Sequence, residues 1–257
     1  MKNSTVEKAT TSVGIIGFGA FGQLIAKHLN QKFKLLAYDP SPHLGEDVSK
    51  LGVTLASLDQ AAKCDVIVIA SPVSSFESVV KSISAICRPG AIIVDVGSVK
   101  VEPSEIMDRF LPEYVSIVAT HPLFGPQSAR NGIRGLKIAV CPIRGYHYSL
   151  VAAFLRKYLG LHVIMTTPDQ HDRDAATVQG ITHLIAKVLL RMGPLPSRMT
   201  TKSFDLISEA ISMVQHDAPE VFEAIENANP YAKEVRQRFF GLAFELSSIL
   251  EDSEKHD

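Results

Sequence analysis

With 257 residues, the chain is too long for one small core and too short for three independent domains, so one large and one small domain are expected. Hydrophobic residues make up 46% and charged residues 21%, with 26 Lys and Arg against 27 Asp and Glu, which excludes disorder of the whole chain. A net charge of -1 supplies no global field for a nucleic-acid backbone or an anionic membrane, so neither partner is expected and a small-molecule ligand is.

The N-terminus is polar, and no stretch reaches the roughly 18 uninterrupted apolar residues of a spanning helix, so a cytoplasmic location is the default expectation. Short apolar, β-branched runs then recur at 13–16, 34–38, 65–70, 91–95 and 115–119. Runs without polar alternation read as strands covered on both faces. Amphipathic stretches at 24–29 and 78–83 lie between them with helical spacing. That alternation predicts an α/β fold with a doubly wound parallel sheet. Runs at 137–141 and 161–165 extend the sheet, with a helix over 150–159 between them. After Thr166 the β-rich runs stop, which divides the chain into 1–165 and an all-helical domain over 166–257. Its helices are expected from Pro168 to Met192, stopped by Gly193-Pro194, then over Lys202 to Val214, Ala218 to Glu226 and Tyr231 to Leu250, with a frayed charged tail from Glu251. Cys64, Cys87 and Cys141 are an odd set without CxxC spacing and read as small buried hydrophobes.

Gly17-Phe18-Gly19-Ala20-Phe21-Gly22 matches GxGxxG directly after the first strand and opens a predicted helix. The first glycine permits the tight turn, the second lets backbone N–H groups approach a pyrophosphate, and the third packs helix on strand. Asp39 follows Gly17 by 22 residues, close to the roughly 20 expected of a carboxylate that binds ribose. The first domain therefore reads as a dinucleotide-binding Rossmann domain. Asp39 would repel a 2′-phosphate, and Pro40-Ser41-Pro42-His43 offers no arginine to neutralise one, so NAD is favoured over NADP, although His43 leaves room for the phosphate.

Three further segments end strands on the edge where such a sheet holds its cofactor: Ser71-Pro72, then Asp95 to Lys100 with Ser98, then Thr120 to Pro126 with His121. A histidine titrating near neutrality can take a hydroxyl proton as hydride leaves the neighbouring carbon, and a serine hydroxyl can position both. Taken singly, Ser98 also reads as a helix cap and His121 as a structural residue in a turn. No His or Cys pair has metal-ligand spacing backed by carboxylates, so no metal is expected.

The succession of GxGxxG, Asp95-Val96-Gly97-Ser98-Val99-Lys100 and Thr120-His121-Pro122-Leu123-Phe124-Gly125-Pro126 resembles the prephenate/arogenate dehydrogenase family of tyrosine biosynthesis over nearly the whole chain. The segment Gln179 to His183 resembles that family's helix facing the substrate, and Thr201 to Phe204 a second contact segment, particularly of the arogenate-dehydrogenase branch. The resemblance implies Ser98 and His121 as the catalytic pair, with Gln179, His183 and Thr201 against the substrate. It implies NAD(P)-dependent oxidative decarboxylation of arogenate to tyrosine, with prephenate to 4-hydroxyphenylpyruvate as the alternative. Asp217 matches an acid associated with the amino group of arogenate, but an aspartate before Ala218-Pro219 also reads as a helix N-cap. Gln127 stands where many relatives have an acid and Arg130 where many have lysine; Arg130 suits a carboxylate, and a loop arginine is equally a solvated one. The resemblance also implies a homodimer through the helical domain, to which the apolar run Phe239 to Phe244 is suited, although a buried intrachain helix looks the same. No appended regulatory domain is expected after the last helix, so any inhibition by tyrosine would have to act at the active site.

Two rivals differ in class. A 3-hydroxyacid or imine reductase shares this domain order and places a catalytic lysine or aspartate on the long helix, for which Lys187 is the candidate, but it leaves Ser98 and His121 without a role. A nucleotide-sensing regulator binds NAD without turnover, and the presence of both Ser98 and His121 argues against it.

Overall fold

The computed structural model describes residues 11–41 and 47–254; Pro42, His43 and His256 lie outside them. Among the described residues eight strands form one sheet: β1 (Ser12–Ile16), β2 (Lys34–Tyr38), β3 (Val53–Leu55), β4 (Val66–Ile69), β5 (Ile92–Asp95), β6 (Ser116–Pro122), β7 (Lys137–Arg144) and β8 (His162–Met165). Their order is β3-β2-β1-β4-β5-β6-β7-β8. Strand direction reverses its winding between β1 and β4, so a crevice opens there at the carboxyl ends of the strands. Helices α1 (Ala20–Leu29), α2 (Asp47–Lys50), α3 (Leu58–Ala62), α4 (Val73–Ser84), α5 (Val101–Phe110) and α6 (Tyr148–Lys157) complete this part. One face of the sheet packs Ile67, Ile69 and Ile93 against Phe76 and Val80 of α4 and Met107 of α5. The other packs Val13, Ile15 and Leu35 against Ala26 and Leu29 of α1. Burial on both faces is why these strands read as unbroken apolar runs.

The sheet departs from all-parallel at one place. β7 runs antiparallel to β6, with His121 opposite Ala139. A parallel return needs a crossover element, and residues 123–136 hold only a loop, so the chain comes back in the opposite direction. β3 and α3 were not expected. β3 is three residues long, too short to show a pattern, but Ser57 and Gln60 at the start of α3 form a reciprocal capping box that is readable as S-x-x-Q.

From Pro168 onward every element among the described residues is helical: α7 (Pro168–Ala175), α8 (Ile181–Arg191), α9 (Lys202–Val214), α10 (Pro219–Glu223) and α11 (Ala232–Glu254). The helix expected from Pro168 to Met192 is present but widened by a π-helical turn at Ala176–Gly180, and a second such turn, Ala224–Ala228, extends α10. α11 continues to Glu254, so the acidic residues Glu251 and Asp252, expected to fray, are helical. Among the described residues no helix is long and apolar enough to cross a membrane.

Candidate active site

The glycine turn joins β1 to α1 at the crevice. Gly17 has φ +95, and a Cβ there would lie 2.6 Å from the Ala70 carbonyl, so the turn tolerates no side chain. A Cβ on Gly22 would lie 2.3 Å from the Gly17 oxygen, which is how the third glycine lets α1 approach the turn. Around Gly19, by contrast, nothing lies within 4 Å, and α1 starts there with no side-chain cap and no acid in its first turn. Uncapped N–H groups facing open space fit an anionic pyrophosphate. Asp39 stands at the end of β2 and accepts from Phe18 N at 2.7 Å and from Ser41 N at 2.9 Å, which places its carboxylate beside the turn. The Ser71 hydroxyl, following the Ala70 that crowds Gly17, is buried without a hydrogen-bond partner. The Phe18 side chain is fully buried in the core, so only its backbone faces this crevice, while the Phe21 ring tilts against Phe124 with centroids 6.4 Å apart.

Two strands away, β5 and β6 end in a buried ionic lock. Lys100 and Asp95 form an ion pair with both side chains fully buried, and Lys100 Nζ also donates to the Thr120 carbonyl at 2.7 Å. Asp95 accepts in addition from Gly97 N and Thr120 N, both at 3.1 Å. Burial pushes the Asp95 carboxyl upward, and the Lys100 ammonium and these N–H groups oppose it. The lock fixes the backbone of Thr120, and hence the position of His121.

His121 itself is buried and lies between two elements of the helical part. Its Nδ1 is 2.8 Å from His171 Nε2 on α7, and its Nε2 is 3.4 Å from Gln179 Nε2 on the π-helical turn. His171 Nδ1 in turn lies 2.7 Å from Asp172 Oδ1. Burial, then the neighbouring His171 and Lys100, hold His121 well below the ordinary histidine value of 6.5. Beyond Gln179, whose Oε1 is buried without a partner, His183 Nδ1 faces the Gln179 carbonyl at 3.0 Å and His183 Nε2 faces Asp217 at 3.2 Å. A neutral imidazole, a free amide oxygen and an acid are thus contiguous near the crevice, an arrangement able to receive a hydroxyl proton and bind a polar substrate.

Residues 24–139 match the family model for the prephenate dehydrogenase nucleotide-binding domain. A probable arogenate/prephenate dehydrogenase of Methanocaldococcus jannaschii is 29% identical over 99% of this chain, and a chloroplastic arogenate dehydrogenase of Arabidopsis thaliana is 29% identical over 95%. The chain is thus similar to prephenate and arogenate dehydrogenases, with the family-model match confined to its nucleotide-binding part. It spans 59% and 40% of the lengths of those two relatives. The fold matches prephenate dehydrogenase of Aquifex aeolicus, solved with hydroxyphenyl propionate and NAD+, with TM-score 0.75 at 21% identity over 96% of this chain and 93% of that one. Synechocystis arogenate dehydrogenase superposes with TM-score 0.68 at 17% identity, over 95% and 93%.

The structure brings together His121, Gln179, His183 and Asp217. Asp217 does not cap α10, whose first turn carries no side-chain cap; it faces His183, and its Oδ1 lies 3.6 Å from where a Cβ on Gly125 would be. Ser98 sits half-buried after β5 and has no hydrogen bond to His121. Gln127 and Arg130 are exposed on the loop between β6 and β7. Thr201 is the N-cap of α9, accepting from Phe204 N at 3.3 Å, and is exposed. Lys187 stacks over the Phe222 ring, 4.3 Å from its centroid, so the lysine that the reductase rival relies on is engaged elsewhere. Sequence reasoning missed His171 and Asp172. The available signal was that the adjacent pair is polar within a helix whose other buried residue is Ala175.

Proposed function

We propose that the protein oxidatively decarboxylates arogenate to tyrosine, using NAD. The observation that carries this reading is His121: a buried, neutral imidazole whose Nε2 faces the uncommitted amide of Gln179 at the carboxyl end of β6, where the sheet positions a cofactor. NAD, when bound on the glycine turn and Asp39, supplies the acceptor for hydride from the substrate ring. His121 takes the proton of the ring hydroxyl as the carbon is oxidised. Rupture of the ring carbon–carboxylate bond returns its electron pair to the ring, carbon dioxide leaves, and aromatisation drives the step. The proton on His121 returns to the oxygen as phenol, so the residue lends a site and no net proton is consumed. Ser98 is assigned to orient the hydroxyl, and Arg130 and Gln127 to the carboxylates from the loop beyond β6. His183, Gln179 and Thr201 are assigned as substrate contacts. Positioning is the larger part of the task, because no strong acid is needed.

Arogenate is favoured over prephenate by Asp217. Its carboxylate, held beside the Phe124-Gly125-Pro126 loop by His183, pairs with an ammonium and gains nothing from the keto group of prephenate. NAD is favoured over NADP because Asp39, which accepts two backbone N–H groups, puts a carboxylate where a 2′-phosphate would sit. NADH formation followed by absorbance with arogenate and with prephenate, for the unmodified protein and Asp217→Asn, tests the reading. A kcat/KM ratio between the substrates that is unchanged by the substitution removes Asp217 from it, and absence of turnover with both substrates overturns it.

The proposed assembly is a homodimer through the helical part. α11 exposes Phe244 at 74% and Ile249 at 63%, and α8 and α9 expose Val188, Leu190, Leu206 and Ile207. This much apolar side chain on three neighbouring helices is suited to a second copy of the same surface.

A further inference from the structure

The strongest uncommitted feature is the polar pair behind His121, and its meaning follows from counting donors and acceptors. Asp172 accepts from Lys100 N and Val101 N, one on each oxygen, both at 2.8 Å. It thereby caps α5, whose own N-terminus has no side-chain cap. Its backbone carbonyl is held by Asn229 Nδ2 at 2.8 Å. A carboxylate bonded in this way only accepts, so His171 Nδ1 carries a proton toward it. A neutral His171 then presents a lone pair on Nε2, which must be met by a proton on His121 Nδ1. The only remaining state for His121 is a bare Nε2, the atom that faces Gln179. The opposite assignment, a doubly protonated His171, would push the His121 proton onto Nε2 and leave no atom to receive the substrate's hydroxyl proton.

We propose that His171, oriented by Asp172, is a positioning residue that keeps the His121 Nε2 lone pair directed into the site and shares the positive charge when His121 accepts the hydroxyl proton. This rests on the reading of His121 as the proton acceptor. As the substrate O–H bond breaks, an Nε2–H bond forms on His121. The proton already shared between His121 Nδ1 and His171 Nε2 moves toward His171, which brings the charge beside the Asp172 carboxylate, and the order reverses when the oxygen is reprotonated. The charged and titratable groups around this path are Asp95 on β5, Lys100 ahead of α5, Cys141 on β7, His171 and Asp172 on α7, and, past Gln179, His183 on α8, Asp217 before α10 and the Glu226–Arg236 pair beside Gly180. Asp95 pairs with Lys100 and Asp217 with His183, so Asp172 is the carboxylate left to balance an imidazolium at His171.

The test uses the full chain. Nitrogen NMR of the histidine-labelled protein near neutral pH, with His121 assigned through His121→Asn, is expected to show a protonated Nδ1 and a bare Nε2; a protonated Nε2 overturns the proposal. His171→Leu is expected to lower kcat about a hundredfold or more while KM and NAD affinity stay within about twofold. His171→Gln, whose Oε1 replaces the lone pair but takes no proton, is expected to recover most of that loss and to alter the pH dependence of kcat. If His171→Leu retains the tautomer, turnover and pH profile of the unmodified protein, the relay does not exist. Should His171→Leu fail to fold, the spectrum of the unmodified protein and the Gln variant decide the matter. Should the unmodified protein oxidise neither substrate, the functional reading falls, and the tautomer still decides the relay.

Discussion

His121 illustrates how a single residue acquires its chemistry from what surrounds it. On a peptide it would be half-protonated near 6.5; here burial and the neighbouring His171 and Lys100 keep it neutral well below that value. Its base form is therefore available throughout the neutral range, and kcat/KM for arogenate is expected to stay flat as pH falls from 8 through 6.5, declining only below that point. A midpoint at or above 6.5 in the pH–rate profile would contradict this. The same shift bears on folding. Because the unfolded histidine binds a proton that the folded one refuses, the folded state is fully favoured only above 6.5 and loses stability as pH falls below it; His121→Asn is expected to flatten that part of the curve in thermal melts. The same variant is expected to lose about a hundredfold or more in turnover with NAD affinity nearly unchanged, as read by titration and NADH formation. His121 and Gln179 were legible in the sequence through motif resemblance. His171 was not, because its role depends on a ring nitrogen of a residue fifty positions away.

At the scale of elements, the glycine turn and the π-helical turn carry different kinds of information. The turn was readable because its demands are local: a positive φ at Gly17 and a helix pressed against its oxygen at Gly22. Gly17→Ala is expected to cost at least about 2 kcal/mol, lowering the melting temperature by about 4–8 °C, together with loss of NAD binding. The π-helical turn at Ala176–Gly180 left no local mark, since the same residues read as ordinary helix. It sets the rotation of Gln179 relative to His171. Deleting Val178, an exposed residue of that turn, is expected to restore regular helix and turn Gln179 by about 100° away from His121. The expected readout is a large fall in kcat with unchanged helical content by circular dichroism. Normal turnover in the deletion variant would show that the widened turn is not needed.

At the scale of the whole molecule, the exposed apolar face on α8, α9 and α11 predicts association. Light scattering coupled to size exclusion is expected to give twice the chain mass, and Phe244→Glu to give the monomer; a monomeric unmodified protein at micromolar concentration removes the dimer. The alternation of apolar runs and amphipathic stretches, the glycine turn and the strand-end motifs were set by the sequence alone, because each depends on neighbours a few residues away or on a periodicity along the chain. The direction of β7 was not, because parallel and antiparallel returns differ in the connection and not in the apolar run that makes the strand. Nor were the Asp95–Lys100 lock, the Asp172–His171–His121 chain and the His183–Asp217 pair. Only the second joins the sheet to the helical part, but in all three which polar groups must satisfy one another is decided when packing has removed water from between them.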